Sequence, residues 1–304
     1  MSAALRFIGL DIGGSFLKGA SVSPSGKVEK HLHEPVAKDT IESLLAQLES
    51  AVRSLSDGAL ARAVGIGIPG IVEQETARVR VAPNVPVLNG YALAAELQKR
   101  LSLQAFLEND ANAAGLAEAW LGAGRGSEHQ IFVSLGTGIG AGVILNGRIW
   151  SGKSGYAGEL GHIQVDPKGI ACGCGSWGCL ETIAGIHGWT RRAEAALGAP
   201  LDPEAIVKAA RGGDLRAVEI VDEAARALGV GIGATLNLLN VDRVVIGGGV
   251  AAAGDFLLDR IKEEVQKRVF PQVFADCTFR LAELAGDAGV VGAARVAMIG
   301  LAAV

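Results

Sequence analysis

Apolar and polar positions change their period several times along this chain. Residues 6–10 form a short apolar run that ends on Asp11. Residues 17–23 and 27–31 read as two further strands, joined by a turn at Pro24-Ser25-Gly26. Between Thr40 and Leu55 the apolar side chains Ile41, Leu44, Leu45, Leu48 and Val52 recur at helical spacing, with Glu42 in the first turn. Residues 63–68 predict a strand closed by Pro69-Gly70, residues 91–101 a helix, residues 105–108 a short strand and the Ala-rich stretch 111–121 another helix. Strands that alternate with helices in this way argue for an α/β fold.

The pattern then starts again. From Gln130 the sequence IFVSLGTGIGAGVILNGRIW gives a buried strand, a glycine turn, a second strand and a turn at Asn146-Gly147. A shift of 123 residues lays Asp11 on Ser134, Gly13 on Gly136 and Gly19 on Gly142. The later turn is shorter, so the repeat is architectural and predicts two domains of similar topology. Helical patterns fill residues 181–239. A strand over 241–246 runs into Gly247-Gly248-Gly249, a helix follows near 256–269, and a short strand over 279–281 precedes a terminal helix.

Composition narrows this picture. A chain of 304 residues with 49% apolar and 20% charged residues is globular and long enough for two domains. It holds 43 glycines but only 9 prolines and no Gly-X-Y period, which excludes a collagen-like or low-complexity chain and points to glycine loops that approach a ligand. A net charge of -4 gives no electrostatic footprint for nucleic acid. The N-terminal stretch lacks the apolar core of a signal peptide. The apolar tail carries Arg295 and reads as a buried terminal helix rather than a membrane span. A soluble cytoplasmic protein is expected. Four cysteines do not make a disulfide scaffold, and three of them crowd into eight residues, with Cys277 apart.

Several stretches carry candidate chemistry. LDIGGSFLKG (10–19) closes a strand on a carboxylate and follows it with glycines, a pattern that suits either phosphate oxygens with a metal-bound water or a plain hairpin turn. SLGTGIGAG (134–142) offers a second cradle with the Thr137 hydroxyl. It is neither a P-loop nor a dinucleotide fingerprint, because the spacing and the missing Gly-Lys-Ser/Thr exclude both. VVIGGGV (244–250) puts a third glycine loop at a strand's carboxyl end. CGCGSWGC, with His162 ten residues upstream of Cys172, supplies three thiolates and an imidazole, the donor set of a closed zinc site at Cys172, Cys174, Cys179 and His162. The acids Glu108, Asp110, Glu159 and Glu181, with Asn84 and Asn109, suit a polyhydroxylated ligand such as a sugar. Asp110, between a strand and a helix, can serve as N-cap or as general base.

Taken in order, LDIGGSFLKG, GIGIPGIV, END-AN, SLGTGIGAG, GELGHI, CGCGSWGCLE and IGGGV resemble the ROK family of bacterial sugar kinases and repressors. The resemblance implies an actin-like, ribonuclease-H-like α/β fold of two related domains around a cleft. Residues 1–116 would form a small domain, on which the terminal helix 291–304 packs, and residues 117–290 a large one. It implies Asp110 as general base toward a sugar hydroxyl, Asn84 and Asn109 on other hydroxyls, and Glu159, His162 and Glu181 near the anomeric end. His162 would share its two ring nitrogens between zinc and sugar. Asp11 would orient Mg²⁺ on the phosphates of ATP beside Gly13, Gly14, Thr137 and Gly138, with Gly248 and Gly249 beside the adenosine.

The resemblance thus leads to an ATP-dependent hexose kinase, with glucose the first substrate to consider. N-acetylglucosamine, N-acetylmannosamine, fructose or allose are alternatives, and polyphosphate is an alternative donor. A non-catalytic sugar sensor of the same family is the competing class. The seven residues before Ile8 leave no room for the repressors' DNA-binding helices, and Asp110 favours catalysis, so no nucleic-acid or membrane partner is expected. A homodimer is expected from the family alone.

Overall fold

The computed structural model describes residues 5–56 and 60–303. The first residues of the N-terminal stretch and the last residue of the tail lie outside them. The chain divides into two compact units. One comprises Met1–Gly122, Arg148–Ala157 and Gly286–Val304, the other Ala123–Gly147 and Gly158–Ala285.

The first unit begins with β1 (Leu5–Ile12), β2 (Phe16–Val22) and β3 (Val28–Pro35), then α1 (Ile41–Ser56) and β4 (Leu60–Ile68). A small hairpin of β5 (Ile71–Glu73) and β6 (Arg78–Val81) follows, then α2 (Leu93–Leu101), β7 (Gln104–Asn109) and α3 (Asp110–Leu121). The sheet order is β3-β2-β1-β4-β7, with β1, β4 and β7 parallel and the β1-β2-β3 meander antiparallel. Thr40 and Ser43 exchange side-chain and backbone hydrogen bonds at the start of α1, a reciprocal cap that fixes where the predicted helix begins.

The second unit holds β8 (Gln130–Leu135) and β9 (Ile139–Leu145), after which β10 (Arg148–Ile149) lies at the sheet edge where the chain passes back to the first unit. Helices α4 (Leu180–Ala184), α5 (Ile186–Leu197), α6 (Pro203–Arg211) and α7 (Leu215–Leu239) come next. Then come β11 (Arg243–Gly247), α8 (Asp255–Gln266), α9 (Pro271–Asp276) and β12 (Thr278–Leu281). Its sheet order is β10-β9-β8-β11-β12, the same path as in the first unit, with β8, β11 and β12 parallel.

The repeat read from the sequence is therefore real, but its register needs one correction. Leu10 pairs with Gly19, while Val133, its counterpart, pairs with Ala141. The second turn is one residue shorter, so Gly19 corresponds to Ala141, and Gly142 to Ala20. The sequence also hid the β5–β6 hairpin, whose strands are only three and four residues long, so the alternation in Arg78-Val79-Arg80-Val81 is too brief to stand out.

Two faces of the first sheet are used differently. Ile8, Leu10, Ile12, Ile66, Ile68 and Leu107 bury against Leu44, Leu48 and Leu55 of α1. Each such side chain contributes roughly 1.5–3 kcal/mol on burial. The opposite face carries Gly9, Gly65 and Gly67 and receives α10 (Ala288–Ala303). A Cβ on Gly9 or Gly65 would overlap the carbonyl of Val290 or Ala293, so the helix rests on bare strand backbone. This helix, with the three residues before it, is long and apolar enough to cross a membrane by composition. Its Val290, Val291, Ala293, Ala294 and Ala297 are buried within the first unit.

Candidate active site

Three parallel strands of the first unit end side by side. Asp11 pairs with Gly67, and Gly67 with Glu108, so these residues form a row across β1, β4 and β7 at their carboxyl ends. Ligands of open α/β sheets gather at this edge. A Cβ on Gly67 would lie 3.6 Å from Asp11 Oδ1 and 3.7 Å from Asp110 Cα. The glycine thus leaves room between the two acids. It belongs to the GIGIPG stretch, and its place in the site was not legible from the sequence.

Asp11 is half-buried, and burial raises its pKa, opposed by the Lys18 ammonium across the β1–β2 register. Lys18 is thus a cation beside the first glycine turn that sequence reasoning passed over. The turn closes through Gly13 N–H to Phe16 O at 2.8 Å, and Lys38 donates to Gly14 O. The position of a Cβ on Gly14 lies 3.3 Å from Asn84 Cβ, which sets Asn84 against the turn.

The choice between N-cap and base at Asp110 is narrowed by its neighbour. Asn109 is the N-cap of α3, its Oδ1 accepting from Asn112 N–H at 3.0 Å. Asp110 stands in the first turn, where the helix's positive end favours a carboxylate. Its Oδ1 accepts from Ala111 N–H at 2.8 Å and from Asn109 Nδ2 at 3.1 Å. Asn109 Nδ2 also donates to Gly70 O at 3.0 Å. Both amide hydrogens of Asn109 are thereby engaged, which leaves it an acceptor lone pair for a ligand.

The second unit presents glycines where the first presents acids. Gly136 N–H donates to Gly138 O at 3.0 Å in the β8–β9 turn, and Thr137 is exposed at its tip. Gly248 adopts φ +85, and a Cβ there would overlap Leu135 O, so the third glycine loop abuts the end of β8. Gly249 has open space around it. The structure therefore brings Gly248 next to the strand that leads into Gly136–Gly138.

His162 ends a short 3₁₀ turn, Leu160–His162, preceded by Glu159. Its Nδ1 lies 3.6 Å from Cys172 Sγ and 3.6 Å from Glu181 Oε1, while Nε2 lies 3.7 Å from Glu159 Oε2. Burial raises the pKa of Glu159, with His162 opposing and Glu181 adding to the shift. The cysteine loop is a tight turn, with Cys172 N–H bonded to Ser176 O at 2.7 Å and Gly175 at φ +93. A bridge between Gln164 and Cys179 brings the last cysteine beside His162, whose carbonyl accepts from Cys179 Sγ at 3.5 Å.

These four residues fit a metal ion. Their donor atoms all lie within 4.8 Å of one another. Zn–S bonds of about 2.3 Å and a Zn–N bond of about 2.0–2.1 Å at tetrahedral angles separate sulfur pairs by about 3.8 Å and sulfur–nitrogen pairs by about 3.6 Å. Cys174 and Cys179 Sγ are 3.7 Å apart, and Cys172 Sγ is 3.6 Å from His162 Nδ1. All three thiols are free. Burial pushes Cys172 up to about 12 and raises Cys179, whereas the Ser176 backbone amide lowers Cys174. Glu181 Oε1 accepts from Cys172 at 3.1 Å, and its Oε2 lies 2.8 Å from where a Cβ on Gly138 would sit. Glu181 thus joins the cysteine loop to the second glycine turn.

Residues 7–299 match the ROK family, and the chain belongs to it. The chain is 36% identical to a glucokinase of Thermotoga maritima over 96% of its own length and 97% of the relative's. It is also 34% identical to an N-acetylglucosamine repressor of Escherichia coli O157:H7, over 78% of this chain and 62% of the repressor. Among solved structures, a ROK hexokinase from Thermus thermophilus superposes with a TM-score of 0.89 at 33% identity, covering 98% of this chain and all (100%) of that one. A ROK family glucokinase from Streptomyces griseus, in complex with glucose and AMPPNP, gives 0.83 at 34% identity over 97% of this chain and 100% of that one. The actin-like architecture implied by the sequence is the architecture of these structures.

Proposed function

We propose that this protein is an ATP-dependent sugar kinase that transfers the γ-phosphoryl group of ATP to a hexose, converting glucose to glucose 6-phosphate. The observation that carries the reading is the first-unit corner at Asn109-Asp110, where the cap function falls on Asn109. The near-full-length likeness to glucokinases supports the same reading.

In this reading an Asp110 carboxylate oxygen takes the proton of the sugar hydroxyl, and the freed oxygen attacks the γ-phosphorus in line as ADP leaves. Such a base contributes about 10²–10⁴-fold. Asn84 and the remaining acceptor of Asn109 bind other hydroxyls, and Glu159, His162 Nε2 and Glu181 grip the anomeric end. Glycine amides of Gly14 and Gly138 and the Thr137 hydroxyl hold phosphate oxygens, Gly13, whose own N–H closes the turn on Phe16 O, shapes the cradle, and Gly248 and Gly249 lie beside the adenosine. Asp11, a hard oxygen donor beside the Gly13-Gly14 turn, would hold Mg²⁺, whose charge offsets that of the phosphates. His162, Cys172, Cys174 and Cys179 would hold a structural Zn²⁺ with no open position. A cytoplasmic homodimer belongs to the same proposal and rests on the family; light scattering tests the dimer.

A coupled assay with glucose, N-acetylglucosamine, N-acetylmannosamine, fructose and allose, using ATP and then polyphosphate, tests the function. Turnover with ATP and highest kcat/KM on glucose is expected. Sugar binding without turnover on any of them would instead make the chain a sensor.

A further inference from the structure

The phosphoryl-transfer chemistry leaves a buried acid next to its proposed base unused. Glu108, the penultimate residue of β7, lies only two residues before Asp110 and is 6% exposed. A buried carboxylate is costly unless hydrogen bonds compensate it. Here Oε1 accepts from Asn109 N–H at 2.9 Å and Asn112 Nδ2 at 3.0 Å, and Oε2 accepts from Gln74 Nε2 at 3.0 Å. A carboxylate accepts on both oxygens, which lets three N–H donors converge on it.

Those donors come from three places. Asn109 is the strand–helix junction itself, Asn112 lies one turn into α3, and Gln74 follows β5 in the hairpin that the sequence hid. Asn112 is 2% exposed, and its Oδ1 has no hydrogen-bond partner. Its amide is thus kept in the interior for the bond to Glu108 alone. Asn109 completes the corner by capping α3 and holding both Gly70 O and Asp110 Oδ1.

We propose that Glu108 is a positioning residue that acts through Asp110: by fixing the Asn109 peptide and the first turn of α3, it fixes where the Asp110 carboxylate stands. This rests on the reading of Asp110 as the base. Misplacement of a reacting group by about 1 Å can cost roughly 10²-fold in rate.

The test compares Glu108→Ala, Glu108→Gln, Asn112→Ala, Asp110→Asn and the double variant Glu108→Ala/Asp110→Asn, with kcat, glucose KM and glucose affinity by calorimetry. Glu108→Ala should lower kcat roughly tenfold or more and leave glucose KM within about threefold. Glu108→Gln should recover kcat to within about threefold of wild type, because it keeps an oxygen for Asn109 and Asn112 and exposed Gln74 can turn its amide over. Asn112→Ala removes a side chain with an orphan carbonyl, so it folds even where Glu108→Ala does not, and it should lower kcat several-fold. In the Asp110→Asn background Glu108→Ala should cost nothing more, since it acts through the removed carboxylate.

Wild-type kcat in Glu108→Ala or Asn112→Ala, or the same fractional loss in both backgrounds, overturns the positioning role. Wild-type speed in Asp110→Asn overturns the base assignment, and this proposal with it.

Discussion

In the first unit β1 carries Asp11 one residue before its end, and β7 runs through Glu108 into Asn109-Asp110. In the second unit the strand equivalent to β1 carries Ser134 before Gly136-Thr137-Gly138, the equivalent of β4 ends on Gly247 before two more glycines, and β12 ends on Leu281. Strand order and direction are shared, so topology does not explain the difference. Acids at strand ends can take a proton or hold a hard cation, and bare glycine amides suit anionic phosphates. The second unit's own acids, Glu159 and Glu181, come from the segment that carries the cysteines rather than from its sheet. In the proposed reading one repeated topology serves two chemistries through a few residues at equivalent strand ends.

Exchange of those residues should break the comparison most strongly. Asp11→Ser gives the first turn the residue of the second and should lower kcat about 10²-fold. Ser134→Asp does the reverse and should raise the ATP KM roughly tenfold through like-charge repulsion, about 1.4 kcal/mol. Steady-state kinetics check both, and an unchanged ATP KM in Ser134→Asp would remove the phosphate role from the second turn.

Next comes the metal. Wild-type protein should carry about one zinc per chain and Cys174→Ser none, by elemental analysis. Faster hydrogen exchange should appear in residues 159–186, which include Glu181 against Gly138. A metal-free, fully active wild type would refute the zinc site.

Packing separates the units more gently. Gly65→Ala, which drives a methyl into the Ala293 carbonyl of α10, should cost about 1–3 kcal/mol in chemical denaturation. Gly231→Ala meets only the side-chain ends of Leu180 and Leu160, at 3.0 and 3.3 Å, and gains helix propensity, so it should cost less than about 1 kcal/mol.

The smallest effect concerns pH. Burial raises the pKa of Glu108 above its ordinary value, against the hydrogen bonds from Asn112, Asn109 and Gln74. The folded state therefore binds this proton more tightly than the unfolded one, and the penalty of the buried charge appears as pH rises through the folded value. Glu108→Gln has no such penalty. Its melting temperature relative to wild type should rise between pH 5 and pH 8, and a falling difference would contradict the assignment.

Much of this arrangement was legible in the sequence because each signal was local. Apolar runs stopped at Asp11 and Glu108, glycine clusters marked the turns, and the C-x-C-x4-C spacing marked the thiol cluster. What was hidden depended on contacts between distant segments. Gly67 matters because it stands between Asp11 and Asp110, Lys18 because register sets it across from Asp11, and Gln74 because a hairpin of very short strands reaches Glu108. The ambiguity at Asp110 had the same origin: a carboxylate after a strand reads as a cap until Asn109 is seen to hold Asn112 N–H.

The account rests on Asp110, and Asp110→Asn tests it directly when turnover and glucose binding are measured on the same preparation. The account predicts glucose affinity within a few-fold of wild type and kcat lowered by about 10² or more. Turnover near the wild-type rate, with glucose bound as before, would contradict it.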